Sequence, residues 1–179
     1  MRVIGIAGWS GAGKTTLIVK LIPLLRARSL TVSTLKHAHH GFDVDTPGKD
    51  SYLHREAGAS EVLVASANRW ALMRELRGAK EPSLAELLRH MSPVDLVLVE
   101  GYKLDAHSKI EVHRALNAKP LLYPNDKTIA ALASDAAEAA PRHLPHAHLD
   151  DVDAIADLIV RFARPLEETI LHLAAAGRA

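Results

Sequence analysis

The sequence predicts a three-layer α/β/α fold, in which helices cover both faces of a mostly parallel sheet, with an appended β-hairpin. Apolar runs of strand length alternate with amphipathic segments, which is typical of β-α-β units. Apolar residues make up 48% of the 179 residues and aromatic residues only 4%, so we expect a core of Ala, Leu, Val and Ile. The first apolar run also leads directly into a glycine-rich segment and then an amphipathic run, the order of a strand, a phosphate-binding loop and a helix.

Composition excludes several classes of protein. A net charge of +1 and the lack of a long basic run argue against nucleic acid as a partner. The chain has no cysteine, which excludes disulfides and thiolate metal sites. Without a secretory leader or an apolar run of membrane-spanning length, we expect a cytoplasmic protein that does not engage a membrane.

The first elements frame two loops. We expect a strand at residues 2–7, a helix from 14 to about 28 that kinks or opens at Pro23, and a β-branched strand at 30–36. The polar stretch that follows, residues 37–50, is too long for a simple connection and is a candidate functional loop.

Later elements follow from turn signals and periodicity. Asp50 or Ser51 is expected to cap a short helix, and Asp150 or Asp151 a later one. Pro165 separates a terminal amphipathic piece, so we place a nucleotide-binding domain at residues 1–164 and a C-terminal helical tail at 165–179. The sequence leaves open whether this tail packs on the domain or on a partner. The expected later elements are helices at 52–57, 84–90, 152–163 and 166–173, hairpin strands at 61–65 and 70–76, and strands at 94–99, 110–113 and 129–133.

The segment Gly-Trp-Ser-Gly-Ala-Gly-Lys-Thr at residues 8–15 has the phosphate-loop (P-loop) signature G-x-x-x-x-G-K-T. Its glycines let successive backbone N–H groups turn inward onto phosphate oxygens. Lys14 then reaches the terminal phosphates, Thr15 offers a hydroxyl to Mg²⁺, and the following helix points its positive end at the same anion. The segment therefore predicts a nucleotide site.

An acidic residue suited to the metal ends the apolar run at 94–99. Glu100 follows that run, so it should lie at the carboxyl edge of the sheet, where it can meet Mg²⁺ or a water of the metal. Asp95 is the alternative, but it begins the strand and should lie at the opposite edge.

The segment at residues 36–51 combines His, Asp, Lys and Thr with Gly and Pro, a composition suited to a loop that becomes ordered around a γ-phosphate. Asp43 and Asp45 are candidates to meet the metal through water or to orient an attacking water, and Lys36 and Lys49 to offset phosphate charge. A metal site and a plain solvated loop remain as alternatives. The metal site would use His37, His39 and His40.

The strand region at 109–114 alternates charged and apolar residues, which indicates one wet face. A functional alternative has Lys103 and Arg114 presenting cations to an anionic ligand at the sheet edge.

Together these segments resemble the molybdopterin-guanine dinucleotide biosynthesis protein B (MobB) family. The resemblance runs from residue 3 to about 162, and the segment at 36–51 is its most specific part. The motifs that carry it are G-x-S-G-x-G-K-T-T-L, K-H-x-H-H-x-F-D-V-D-T-P-G-K-D-S, R-E-A-G-A, V-E-G-Y-K and K-I-E-V-H-R.

The resemblance implies a fold of the P-loop NTPase type, with the three-layer α/β/α arrangement. It further implies a homodimeric adaptor that binds GTP with Mg²⁺ and hydrolyses it weakly. It also implies molybdopterin as a partner, together with the molybdenum cofactor guanylyltransferase, which attaches GMP to molybdopterin. A P-loop small-molecule kinase and a nucleotide-dependent metallochaperone are the alternatives, although no arginine cluster of a kinase lid is evident.

Carried onto this chain, the resemblance implies Lys14, Asp45 and Glu100 as the residues that act on the nucleotide, with Thr15, Asp45 and Glu100 at the metal. For guanine, Ser134 and Asp135 at a strand end are better candidates than residues 125–127. Trp9 stands where a related subgroup has a lysine that reaches across the dimer, so a lysine acting from that position is not expected here. The expected nucleotide-binding residues are Ser10, Gly11, Ala12, Gly13, Lys14, Thr15, Thr16, Lys36, Ser134 and Asp135.

Overall fold

The computed structural model describes residues 1–38, 41–136, 141 and 143–176. The chain divides into two compact units, one formed by Met1–His37 with Leu84–Ala179 and the other by Ala38–Ser83. The first unit contains β1 (Arg2–Ala7), α1 (Lys14–Ala27), β2 (Val32–Lys36), α3 (Leu84–His90), β5 (Leu96–Glu100), β6 (Lys109–His113), β7 (Ile129–Ser134), β8 (His146–His148), α4 (Val152–Phe162), β9 (Arg164–Pro165) and α5 (Leu166–Ala176). The second contains α2 (Asp50–Glu56), β3 (Glu61–Ala65) and β4 (Trp70–Arg74).

The first unit is built on a mostly parallel sheet with the strand order β2-β5-β1-β6-β7-β8. β1 lies in the middle and pairs in parallel with β5 on one side and with β6 on the other. The two-residue strand β9 adds to β1 in the antiparallel sense. Because β1, β2, β5 and β6 are parallel, the loops that follow them all leave from one edge of the sheet, where ligands bind in folds of this type.

Helices cover both faces of this sheet, so the predicted three-layer fold is confirmed. On one face, Ile4, Ile6 and Leu98 pack against α1 and α4. On the other face, Val3, Val97 and Val99 pack against Leu84 and Leu88 of α3. Neighbouring residues of β1 thus point into different cores, which is why the strand reads as a continuous apolar run.

The terminal helix α5 packs on the first unit, because Leu166 and Leu173 join the cluster formed with α3. This settles where the amphipathic tail lies. A domain boundary after residue 164 stays a prediction.

Some local predictions were right and others wrong. Asp151 caps α4 by accepting a hydrogen bond from the Ala154 backbone N–H, as predicted. No side chain caps α2, which follows Lys49 and takes Asp50 into its first turn. α1 continues through Pro23, which lies on the exposed side of the helix. The strand β8 was missed because its three residues include only one that is buried.

The prediction that β6 has one wet face was wrong. The Lys109 side chain is 1% exposed, and Glu111 is fully buried. The Glu111 carboxylate accepts hydrogen bonds from the backbone N–H groups of Leu122 (2.7 Å) and Tyr123 (2.9 Å). Burial raises the pKa of this carboxyl, and the two backbone donors counteract the rise. The alternation in β6 therefore reflects internal polar contacts, not exposure to solvent.

In the second unit, β3 and β4 form the predicted antiparallel hairpin as a separate two-stranded sheet. Leu63 lies opposite Leu72, and Ala65 lies opposite Trp70, so these side chains share one face. On that face Leu63, Leu72 and Trp70 are 62%, 50% and 67% exposed. Among the described residues, no helix is long and apolar enough to cross a membrane.

Candidate nucleotide-binding site

The P-loop connects the end of β1 to the start of α1, and its backbone requires glycine. Gly8, Gly11 and Gly13 have φ angles of +147°, +79° and +93°. A Cβ on Gly8 would also collide with the backbone carbonyl oxygen of Val112 in β6. Gly13 occupies the N-cap position of α1 and has no side chain that could accept hydrogen bonds from the first backbone N–H groups of the helix. The loop thus presents backbone donors at a helix N-terminus, which is the arrangement that binds phosphate.

Lys14 folds back over the P-loop. Its ammonium donates to the carbonyl oxygens of Gly8 and Trp9, each at 2.9 Å. Partial burial lowers the pKa of Lys14, and the nearby ammonium groups of Lys103 and Lys36 add to that effect, while Glu100 opposes it. An anion in the loop would relieve this repulsion between cations.

The side chains of Thr15, Lys36 and Glu100 lie together beside Lys14. The Thr15 hydroxyl donates to Glu100 Oε1 at 2.6 Å, and Lys36 Nζ lies 3.2 Å from the same oxygen. The sheet enforces this meeting, because Lys36 at the end of β2 is in register with Glu100 at the end of β5. The predicted carboxyl-edge location of Glu100 is what the structure shows.

The Thr15 and Glu100 oxygens fit a magnesium ion, which takes hydroxyl and carboxylate ligands and keeps several waters. Within the described part of the chain, no group of three or more His, Asp and Glu residues is arranged to hold a metal. His39 and His40, two of the three histidines of the alternative metal site, lie outside the described residues. Asp95 lies at the start of β5, where its carboxylate accepts from the Thr31 backbone N–H (2.8 Å) and hydroxyl (2.6 Å).

Asp45 lies in the second unit, where it is held by Arg55. The guanidinium donates to both carboxylate oxygens of Asp45, at 3.3 Å and 3.1 Å, and also contacts Asp43 (3.0 Å) and Glu75 (3.2 Å). The Asp45 and Glu75 carboxylates raise the pKa of Arg55. The role of Asp45 at a metal stays a prediction. Arg55 belongs to the R-E-A-G-A motif, but no sequence pattern indicates that it binds these acidic residues.

The side chains of Ser134 and Asp135, at the end of β7, both have protein partners. Ser134 is buried, and its hydroxyl contacts His113 Nδ1 (3.2 Å) and the Ala136 backbone N–H (3.0 Å). Asp135 accepts from the Ala115 backbone N–H at 2.8 Å and lies 3.7 Å from Arg114. Recognition of guanine by this pair stays a prediction.

Residues that follow β6 form two hydrogen bonds with the P-loop. The Asn117 side-chain amide donates to the Ser10 carbonyl oxygen at 3.3 Å, and the Trp9 indole N–H donates to the Pro120 carbonyl oxygen at 2.7 Å. The Arg114 guanidinium lies beside Gly13, 3.5 Å from where a Cβ on that glycine would be. Sequence reasoning missed Asn117 and Pro120, because nothing in the chain pattern marks a short turn as a neighbour of a loop more than a hundred residues away.

The parallel sheet and the strand–loop–helix geometry at its carboxyl edge define a protein of the P-loop NTPase fold. The sequence model of the family described as molybdopterin guanine dinucleotide synthesis protein B matches residues 3–135. The chain therefore belongs to the MobB family.

Named relatives agree with this assignment. The chain is 44% identical over 165 residues to the molybdopterin-guanine dinucleotide biosynthesis adapter protein of Escherichia coli, an alignment that covers 89% of this chain and 92% of that protein. The protein of the same name from Haemophilus influenzae is 49% identical over 121 residues, or 66% of this chain and 67% of that protein.

Solved structures of the family share the fold. A crystal structure of molybdopterin-guanine biosynthesis protein B matches with a TM-score of 0.69 and 28% identity, covering 89% of this chain and 98% of that one. A crystal structure of Bacillus subtilis MobB matches with a TM-score of 0.67 and 27% identity, covering 90% and 97%.

Proposed function

We propose that this chain is a GTP-binding adapter of molybdenum cofactor biosynthesis that supports formation of molybdopterin guanine dinucleotide. The observation that carries the nucleotide part of the proposal is the meeting of Lys14, Thr15 and Glu100 at the P-loop. The adapter role rests on the names of the relatives, which are 44% and 49% identical to this chain. Its partners in the proposal are the molybdenum cofactor guanylyltransferase, molybdopterin and a second copy of the chain.

The proposed site would hold GTP by its phosphates. The Lys14 ammonium would exchange its two carbonyl partners for oxygens of the terminal phosphates, and the backbone N–H groups of the loop would hold the remaining oxygens. Thr15 and Glu100 would hold Mg²⁺ directly or through its waters, and the ion supplies positive charge against the phosphates when it is bound.

Slow hydrolysis fits the same geometry. Glu100 Oε1 lies 2.6 Å from the Thr15 hydroxyl and 3.2 Å from Lys36 Nζ, and in the proposal this carboxylate holds the metal and does not orient the attacking water. Efficient phosphoryl transfer needs a group that positions the nucleophile in addition to charge on the phosphates. We therefore expect the nucleotide state, more than turnover, to matter for the adapter.

A reconstituted assay tests the proposal. Purified guanylyltransferase, molybdopterin and Mg²⁺-GTP are combined with and without the chain, and the guanine dinucleotide product is quantified. We expect the chain to increase product formation and Lys14→Ala to abolish the increase. Equal product with and without the wild-type chain would contradict the adapter role, and rapid GDP formation dependent on a small hydroxyl substrate would favour a kinase.

A further inference from the structure

Lys103 lies next to the P-loop although it is far from it in sequence. Its ammonium sits over the face of the Trp9 indole, 4.2 Å from the ring centroid. Trp9 is itself part of the P-loop, and its ring is fixed at the other side by the 2.7 Å hydrogen bond from its N–H to the Pro120 carbonyl. A cation over a tryptophan face is an attractive contact, and here it holds the ammonium of Lys103 at the loop.

The backbone segment that contains Lys103 is held in place by the side chain of Lys109. The buried Lys109 ammonium donates to the carbonyl oxygens of Lys103 (3.1 Å) and Asp105 (2.6 Å) and pairs with Asp126 at 2.9 Å. A buried ammonium that binds two carbonyl oxygens and one carboxylate restrains this segment, because moving the segment away would leave the ammonium in the interior with fewer partners.

The turn that leads to Lys103 is held in an uncommon conformation. Gly101 and Tyr102 have φ angles of +94° and +48°. A Cβ on Gly101 would come within 2.9 Å of the His37 Cβ, so glycine is needed there for space as well as for backbone conformation. A non-glycine residue at positive φ costs free energy and is found where the surrounding structure demands it.

Lys103 and Lys14 approach the same residue of the loop. Lys14 donates to the Trp9 carbonyl oxygen, while Lys103 lies over the Trp9 ring. Partial burial is the main cause of the lowered pKa of Lys14, and Lys103 adds to it because the two ammonium groups repel each other. An arrangement that brings like charges together is stabilised when an anion lies between them.

We propose that Lys103 is a second phosphate-binding lysine, which moves from the Trp9 ring onto the terminal phosphate of the nucleotide. This inference rests on the proposed function, because it concerns the same nucleotide. In a P-loop the motif lysine reaches the terminal phosphates, and Lys103 contacts the same residue, Trp9, that Lys14 contacts. Lys103 thereby distinguishes a nucleoside triphosphate from the monophosphate, and Trp9 holds it ready for that contact.

Binding of Mg²⁺-GTP, GDP and GMP to the full chain, by titration calorimetry, tests the proposal. Lys103→Ala should weaken GTP binding by about tenfold to a hundredfold, the usual effect of losing one charge-assisted hydrogen bond, and leave GMP binding unchanged. Lys103→Arg should retain most of the affinity. Lys20→Ala, which removes an equal charge from the exposed side of α1, should bind all three nucleotides like the wild type.

Tryptophan fluorescence gives an independent readout. The chain has two tryptophans, Trp9 and Trp70, so Trp70→Phe leaves Trp9 as the only reporter. In this background GTP should change the Trp9 emission as the ammonium leaves the ring, and the change should be lost with Lys103→Ala. Retained GMP binding shows that the Lys103→Ala variant is folded.

The outcomes separate this inference from the proposed function. If the wild-type chain binds no GTP, both are overturned. If the wild type binds GTP and Lys103→Ala binds it equally well, the role of Lys103 is overturned and the proposed function stands. An equal loss of GTP and GMP affinity in Lys103→Ala would also overturn the inference, because discrimination by the terminal phosphate requires an unequal loss.

Discussion

Glu100 illustrates how far a single residue can be understood from the chain alone. Its place at the end of an apolar run was enough to put it at the carboxyl edge of the sheet, where it meets Thr15. Its ion pair with Lys36 was not predicted, because that contact depends on β2 lying beside β5. Strand order is a tertiary property, set by packing of whole elements and not by local sequence.

Glu100→Gln tests the proposed metal ligand at the residue scale. The amide keeps the size of the side chain but removes the charge that attracts Mg²⁺, so GTP affinity in the presence of Mg²⁺ should fall about tenfold or more. Binding in EDTA should change little. Fluorescence titrations under both conditions measure the two affinities, with Glu168→Gln on α5 as the control. An equal loss with and without Mg²⁺ would contradict a metal role.

His107 carries a pH dependence of stability. Its ring is 2% exposed, and burial together with the neighbouring Lys109 lowers its pKa to about 4, against the opposing effects of Asp105 and Asp126. The unfolded chain binds a proton at this histidine near pH 6.5, while the folded chain does not. Stability is therefore lost as the pH falls from about 6.5 towards 4, by about 3 kcal/mol.

His107→Leu should remove this loss. Urea unfolding of both proteins at pH 7, 6, 5 and 4 gives the difference in the free energy of unfolding, which should move in favour of the variant as the pH falls. The raised pKa of Glu111 acts in both proteins and cancels in the comparison. A difference that does not change with pH would show that His107 is not buried in its neutral form.

At the scale of elements, the sequence located most helices and strands, and β6 shows where this approach fails. Alternating charged and apolar residues normally mark a half-exposed strand. In β6 the segments after β5 and before β7 supply polar partners for Lys109 and Glu111, so both charges are buried. Period-two patterning cannot distinguish a wet face from a face covered by polar loop backbone.

Lys109→Met tests how much the buried cation contributes to β6 and its loops. The substitution keeps the length of the side chain but removes the ammonium donor from the Lys103 and Asp105 carbonyl oxygens and from Asp126, which keeps its hydrogen bonds from Thr128; this should cost about 2–3 kcal/mol in the free energy of unfolding. Denaturant unfolding at pH 7 measures the loss. The exposed Lys119→Met should change stability by about 0.5 kcal/mol at most. A loss no larger than that of the control would contradict the structural role of Lys109.

At the scale of the molecule, the chain forms two units, and the segment after β2 runs from the first into the second. The sequence predicted a functional loop there, and the structure shows Arg55 gathering Asp43, Asp45 and Glu75 within the second unit. This network joins a residue of α2 to residues that lie before that helix and directly after β4, and no local sequence pattern connects these positions. The hairpin was predictable, but the exposure of its apolar face was not.

The exposed face of the hairpin, formed by Leu63, Leu72 and Trp70, is where we expect a second copy of the chain to pack. In the homodimer that we propose, Leu72→Lys would place a charge within the interface, so the wild-type chain should sediment as a dimer at micromolar concentration and the variant as a monomer. Sedimentation velocity measures the change. Leu171→Lys on the exposed side of α5 should leave the dimer intact; dissociation by this control, with Leu72→Lys still dimeric, would place the interface elsewhere.

Equilibrium binding of Mg²⁺-GTP to the wild-type chain and to Lys14→Ala tests whether the P-loop is the nucleotide site. Lys14 is the P-loop side chain that would contact the terminal phosphates, and its ammonium already binds two carbonyl oxygens of the loop. We expect saturable binding to one site per chain and the loss of most of the affinity in Lys14→Ala. Unchanged GTP binding in that variant would contradict the assignment of the P-loop as the nucleotide site.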